Sequence, residues 1–403
     1  LNTNLRWEQS QTFEVGLDIG FLQNRLSFIL DFYSRRTKDL LTKQALPGYT
    51  GFSDIVTNMG TLRNSGFEAE VKANIINKGG FTWDMTANIT SVANKIISLP
   101  YNNVENNRVG GYEVAAGKVD ADGKFPTKWI AGRQEGGKLG ELVGYRQQHV
   151  FKDWDDVKQH ANLRVDEVAN LYGPGLADQI NPATGKTYKE SSGWQPIEPG
   201  DACWEDINGD NIINGYDRSV MGNIFPNVTG GFSTTFGYKG LSLYARFDYA
   251  LGHTLYNDLK ARSLGQYQGQ FNIITDVKDM WSEANPNSDL TKFYYADQLA
   301  KKNITRSNNA STAADNNSSR YYEKGDYLAL REITLSYQLP KSLISKAHLT
   351  EASVYVTGQN LFYITGYDGV SPEPAVSTTY GRGIDNGRYP TPRTFLFGLS
   401  LTF

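Results

Sequence analysis

A single cysteine, Cys203, stands among 403 residues, so no intrachain disulfide framework can form and a metal cluster built on thiols is excluded. Its side chain is expected to be a small packed group or a spectator thiol. Histidine is nearly as scarce: His149, His160, His253 and His348 lie far apart without paired spacing, and each reads as a surface or lumen polar group rather than a catalytic base or ligand. No uninterrupted apolar run approaches the roughly 18 residues a membrane helix requires, which leaves a soluble protein or a strand-built membrane barrel. No excess of one charge exists either. With 40 basic residues against 43 acidic ones, no global field points to nucleic acid or another polyanion. Catalytic signatures are missing as well: there is no Gly-x-Ser-x-Gly elbow and no His-Glu-x-x-His. Gly185-Lys186-Thr187 ends like a phosphate loop, but Ile180 occupies the position of its first glycine. Together these absences argue against an enzyme.

What is abundant is glycine and aromatic residues, 40 Gly, 24 Tyr, 19 Phe and 7 Trp, a composition of strands and turns. Alternation with period two places Phe13, Val15, Leu17, Ile19 and Phe21 on one strand face and Glu14, Gly16, Asp18 and Gly20 on the other. It recurs at Leu26–Phe32, Phe67–Ile75, Phe81–Ile89, Phe232–Tyr238, Leu241–Leu251, Ile333–Leu339 and Phe395–Phe403, and more weakly around Val354 and Val356. Several of these segments are near the roughly 9–11 residues with which a tilted strand crosses a membrane. Short links around Gln23-Asn24, Asn77–Gly80, Lys239-Gly240 and Lys341–His348 alternate with long ones at about 37–61, 93–226, 252–326 and 364–392. A soluble sandwich has no reason to sort its links this way, whereas an outer-membrane barrel keeps short periplasmic turns at one end and long extracellular loops at the other. Phe81, Trp83, Tyr238 and Tyr337 fall near the short turns, where an interfacial girdle belongs. Carboxylates such as Glu14, Asp18, Glu68 and Glu70 then read as lumen-lining charge. The expected fold is all-β, a transmembrane antiparallel barrel.

The chain opens at Leu1 without a signal peptide and reads as a mature, processed or truncated piece. Counting back from a last strand that descends to the periplasm makes the first strand descend too, so earlier strands are expected elsewhere in the gene product and this piece should not close alone. Two loop segments carry helical spacing: Asp153–Leu163, with Asp153 as N-cap, and Thr275–Ala284, with Val277, Met280 and Trp281 on one face. The stretch Asn303–Ser319 is rich in Asn, Ser, Thr and Ala and reads as a loop tip.

The sharpest local pattern runs from Asp206 to Asp217. Oxygen side chains of Asp206, Asn208, Asp210, Asn214 and Asp217 fall at positions 1, 3, 5, 9 and 12 of a twelve-residue calcium loop, and the Ile212 carbonyl falls at position 7. Asn211 stands where the EF-hand has glycine, which Asn tolerates because it visits left-handed geometry, and Asp217 replaces the bidentate Glu. A structural Ca2+ is the expectation, giving rigidity rather than catalysis.

Pro199–Asp210 (PGDACWEDINGD), continuing through Asp217-Arg218 and Met221–Pro226, resembles the corresponding loop of SusC/RagA-like TonB-dependent transporters. So do Glu8–Gly16, Leu62–Glu68, Tyr327–Tyr337, Gly358–Phe362 and Pro392–Phe395, in order along almost the whole chain. The resemblance implies that residues 1–403 are the C-terminal portion of a 22-stranded bacterial outer-membrane barrel, with a long extracellular loop at about 93–226. It implies further an N-terminal plug absent from this chain, energy through TonB, a SusD-like surface lipoprotein as lid, and import of oligosaccharides or peptides. A passive or adhesive barrel, a binding module without energy coupling, is the competing reading.

Overall fold

The computed structural model describes residues 5–46, 48–165, 168–169, 172, 180, 185–187, 197–266, 272–293, 318–373, 376–377, 381–387 and 389–403. Nine strands form one antiparallel sheet in chain order: β1 (Gln9–Phe21), β2 (Leu26–Ala45), β3 (Asp54–Lys78), β4 (Phe81–Ser98), β5 (Val228–Tyr238), β6 (Leu241–Leu251), β7 (Tyr327–Gln338), β8 (Glu351–Thr365) and β9 (Thr394–Thr402). Each pairs with the next, so every short link lies on one rim and every long one on the other. The tight turns follow local chemistry: Lys239 and Gly240 both take positive φ, 48° and 88°, the conformation whose twist matches the flanking strands. Among the described residues β1 and β9 do not pair with each other, and the sheet stays open, as the strand count leads one to expect.

Register sorts the two faces. Leu17 lies opposite Leu30, Leu30 opposite Ala69, Ala69 opposite Ile89, and the row continues through Gly230 to Tyr249. At the far edge Leu243 pairs with Leu335, Leu335 with Val356, and Val356 with Phe397. The alternate residues make a polar face just as continuous: Gly16, Asp31, Glu68, Thr90 in one row and Ser233, Arg246, Glu332, Gln359 in another. Near the short turns, Phe81 faces Tyr238, Tyr238 faces Leu241 and Leu241 faces Tyr337, and the Trp83 ring stacks on Phe236 at 5.5 Å. That row has the placement of an aromatic girdle. The apolar face is also the exposed one, with Phe13, Phe32, Phe397 and Leu399 open to the surroundings. In water such a continuous apolar surface would drive association; in lipid it is satisfied.

Two segments depart from the sequence reading. The expected loop 37–61 is mostly ladder: β2 and β3 run 20 and 25 residues and stay paired from Leu41↔Asn58 to Ala45↔Asp54. A bulge between Thr37 and Leu41, with Asp39 at φ 55°, breaks the alternation there without ending the strand. The helix expected at Thr275–Ala284 is a single 3-10 turn, Thr275–Asp279. Its last carbonyl, Asp279 O, accepts from Asn285 Nδ2 and Ser288 Oγ, while Met280 leaves helical geometry to enter a core with Tyr256, Ala261, Leu264 and Tyr321. Of Asn303–Ser319, residues 303–317 lie outside the described residues. Within β7, Arg331 is an extra residue: Leu330 pairs with Phe247 and Glu332 with Arg246. Arg331 therefore turns to the same polar face as Glu332, where it holds Asp248 at 3.0 Å, the Tyr363 hydroxyl at 3.1 Å and Glu373.

On the long-loop rim the chain between β4 and β5 builds a core of its own. Tyr145, Phe151, Val157, Leu163, Val165, Ile197, Ala202, Cys203, Trp204 and Ile213 are buried against one another. The helix of the first predicted segment is there: α1 (Trp154–Gln159), capped by Asp153, whose side chain accepts from Asp156 N at 2.9 Å. The β6–β7 connection docks on this unit through Tyr322 OH to Val143 O (2.6 Å), Lys292 N to Gly200 O (2.8 Å) and Trp281 Nε1 to Lys152 O (3.1 Å). Thr254–Asn257 in turn pairs with Tyr322–Lys324 and with Ile384–Asp385 of the β8–β9 connection. Three loops thus make one cap.

Candidate functional site

The segment Asp206–Asp217 closes on itself through its own oxygens. Asp206 accepts from the amides of Gly209 (2.7 Å) and Asn211 (2.8 Å), Asn208 from Asp210 (3.1 Å), and Asp210 from Ile212 (2.7 Å). Asn214 accepts from Tyr216 N at 2.8 Å, and Asp217 reaches back to Ile207 N (2.9 Å) and Asn214 N (2.8 Å). Asn211 takes the expected left-handed conformation, φ 64°. Ile212-Ile213 pairs in parallel with Arg164-Val165, which ties the loop to the cap core. Asn208 and Asp217 are fully buried, and burial, helped by the neighbouring Asp206 and Asp210 charges, pushes the Asp217 carboxyl up to about 6 against two stabilising amide hydrogen bonds. Among the described residues no Lys or Arg side chain pairs with these three carboxylates; Lys118 Nζ donates instead to the Asp206 carbonyl, 3.2 Å. All six residues of the proposed ligand set are therefore gathered in one turn.

The three carboxylates do not converge as tightly as another set. Among the described residues, the one group of three or more His, Cys, Asp or Glu whose donor atoms all lie within 4.8 Å of one another is His149, His160 and Cys203. Sequence spacing hid it, because the residues come from different elements: His149 and Cys203 face each other across the ladder between Gln147–Val150 and Ala202–Trp204, and His160 is the C-cap of α1. The signal that could have found it is Asp156-x-x-x-His160, which puts two polar donors on one side of the helix already expected there.

A further charged knot ties the other two loops. Asn257 donates to Glu323 (3.2 Å) and Asp368 (3.1 Å), and Lys260 pairs with both carboxylates. Burial, then a hydrogen bond shared with Asp368, pushes the Glu323 carboxyl up to about 7. Nearby His253 is buried, not the surface or lumen polar group its isolation in sequence suggested, and bonds through Nε2 to the Pro372 carbonyl at 2.9 Å. On the cap surface a cleft of about 540 Å³ opens between the indoles of Trp154 and Trp281, Pro199, Pro286 and the Glu198–Lys292 ion pair.

Residues 1–195 match the family described as TonB dependent receptor-like, beta-barrel. TonB-dependent receptor P3 of Formosa agariphila is 28% identical over 408 positions, covering 100% of this chain and 35% of that protein. TonB-dependent receptor SusC of Bacteroides thetaiotaomicron is also 28% identical over 408 positions, covering 100% of this chain and 32% of its own length. The chain thus spans about a third of these relatives. The RagAB peptide transporter shares the fold, with TM-score 0.63 at 22% identity over 100% of this chain and 36% of that one. The RagAB peptide importer in its open-open state gives 0.65 at 22%, over 100% and 35%. A one-sided open sheet with a cored cap on one rim defines a portion of an outer-membrane barrel. Residues 1–195 thus carry the TonB-dependent receptor β-barrel match, the whole chain is SusC/RagA-like, and it resides in the bacterial outer membrane.

Proposed function

We propose that this chain supplies the C-terminal strands and extracellular loops of an energised importer, which takes oligosaccharides or oligopeptides through the outer membrane at the expense of TonB. The observation that carries this reading is the cap: the long connections are folded together with buried cores rather than left as loose linkers. Such a rigid rim suits engagement of a SusD-like lipoprotein lid and of cargo, and the two indoles of its cleft offer apolar platforms beside polar groups. The plug, the TonB-contacting segment and the remaining strands belong, on this reading, to other parts of the same polypeptide. Uptake of labelled oligosaccharide and peptide pools by cells carrying the full-length receptor tests it. Uptake should vanish when TonB is deleted; uptake that persists would instead favour the passive or adhesive barrel.

Within the cap, Asp206, Asn208, Asp210, Ile212 by its carbonyl, Asn214 and Asp217 are proposed to hold a structural Ca2+. Support comes from their ligand order and from crowding of three carboxylates, one of them buried, without a paired cation among the described residues. A divalent ion would relieve that repulsion and order the turn. In the full-length receptor, roughly millimolar calcium, the range of extracellular modules, should slow amide exchange across 206–217, and Asp210→Ala should remove the effect while leaving barrel assembly intact. Identical exchange with and without calcium would defeat the assignment.

A further inference from the structure

Two imidazoles and a thiol meet at one point of the cap. His149 lies on the strand Gln147–Val150, and Cys203 is its cross-strand partner, so both side chains leave the same face of the ladder. His160 comes down on them from the end of α1, and the donor atoms of the three lie within 4.8 Å of one another. Asp156, one helical turn before His160, organises both rings. Its carbonyl, 2.9 Å from His160 Nδ1, can only accept, which makes that nitrogen the protonated one and leaves the lone pair of the neutral ring on Nε2. Its carboxylate lies 3.2 Å from His149 Nε2, which by the same logic leaves the lone pair on Nδ1. The carboxylate is itself anchored by Lys152 N at 2.9 Å. Phe151, fully buried, sets its ring edge-on to both imidazoles at 5.6 and 5.4 Å and closes the apolar side. Both histidines remain about one-third exposed, 39% and 34%, so an ion can reach them from solvent.

We propose that His149, His160 and Cys203 bind one Zn2+ ion as a structural clip between the ladder and α1, with Asp156 as the positioning residue for both imidazoles and a water in the fourth position. Thiolate plus imidazole is the donor chemistry of a borderline-soft cation, and hydrogen bonding of each ligand's other ring nitrogen to a carboxylate or carbonyl is the usual orienting arrangement. Without a cation the buried thiol, pushed up to about 12, stays protonated; binding forms the sulfur–zinc bond and releases that proton to solvent. This site is separate from the proposed calcium loop in ligands and in chemistry, since hard Ca2+ takes oxygen donors.

The test uses full-length receptor purified in detergent, stripped with chelator and reloaded with Zn2+ or, as a spectroscopic probe, Co2+. Elemental analysis should find one more zinc per wild-type chain than per Cys203→Ser chain, and Co2+ should give tetrahedral visible bands with a sulfur charge-transfer band that Cys203→Ser abolishes. Asp156→Asn should weaken zinc binding by roughly 10–100-fold, the usual loss when an orienting partner of a ligand is removed. Heat-modifiable gel mobility and protease resistance of the cap identify folded variants, and His160→Gln, partly exposed, replaces Cys203→Ser if the latter fails to fold. Equal zinc in wild type and variants, or a cobalt spectrum without the sulfur band, overturns the proposal. So does a site that takes copper with an intense visible thiolate band but rejects zinc.

Discussion

The membrane sheet and the extracellular cap are built from the same residue types by opposite rules. In the sheet, large apolar side chains such as Phe397 and Phe13 are exposed, and what fixes the structure is backbone register, every row of side chains falling on its own face. In the cap, Trp204, Tyr145, Phe151 and Ile213 are fully enclosed, as in a soluble domain. The lesson is that one chain has two solvents. Stability in the sheet comes from keeping faces sorted against lipid, and in the cap from packing against itself.

The contrast should break most visibly at Trp204. Truncation to Ala removes a fully buried indole that meets Tyr145 edge-on at 6.3 Å, and such losses cost about 3–5 kcal/mol. Limited proteolysis should then cut the cap readily while heat-modifiable mobility shows a normally assembled barrel; loss of both together would mean that the regions are not independent. At the sheet, Leu399→Arg should cost roughly 2–4 kcal/mol and impair assembly. Ser400→Arg, one residue on and opposite Ser353 on the polar face, should assemble far better. Equal assembly of the two variants would refute the face assignment.

A smaller effect is expected where the cap titrates. Glu323 is held at about 7 against an ordinary 4.5, so the folded cap binds a proton that the unfolded chain has lost across that interval. Its contribution is greatest below 4.5 and is lost as pH rises through about 7. Amide exchange at Tyr322–Lys324 should accordingly quicken as pH rises across this window, after correction for the intrinsic rate, and Glu323→Gln should flatten the dependence. An unchanged profile in that variant would assign the pH sensitivity elsewhere.

Most of the sheet was legible because period two is a local property: Phe13 to Phe21 declare their face without reference to any partner. The ladder beyond Thr37 was not, since a bulge at Asp39 scrambles the alternation on which the reading depends. Met280 misled for a different reason; helical spacing was real, but a distant core claimed the side chain. The turn at 206–217 could be read because its residues are contiguous, down to the left-handed Asn211, whereas the Ca2+ proposed for it is a separate inference from the order of its oxygens. His149, His160 and Cys203 could not, because only the ladder and the end of α1 make them neighbours.

Arg331 shows how a strand with both faces committed can still gain a residue. Because Arg331 and Glu332 point the same way, the inserted position leaves Leu330 and Ile333 on their own side, and no downstream residue changes solvent. A single deletion at this position would restore an unbroken alternating strand, whereas the same deletion at Thr334 would send Leu335 and Tyr337 inward and Ser336 into lipid. Sequence length in this barrel is thus free to vary at the bulge and almost nowhere else along β7. What varies with it is one of the bonds from strand to rim, since the extra guanidinium joins the Tyr363 hydroxyl in reaching Glu373 in the β8–β9 connection.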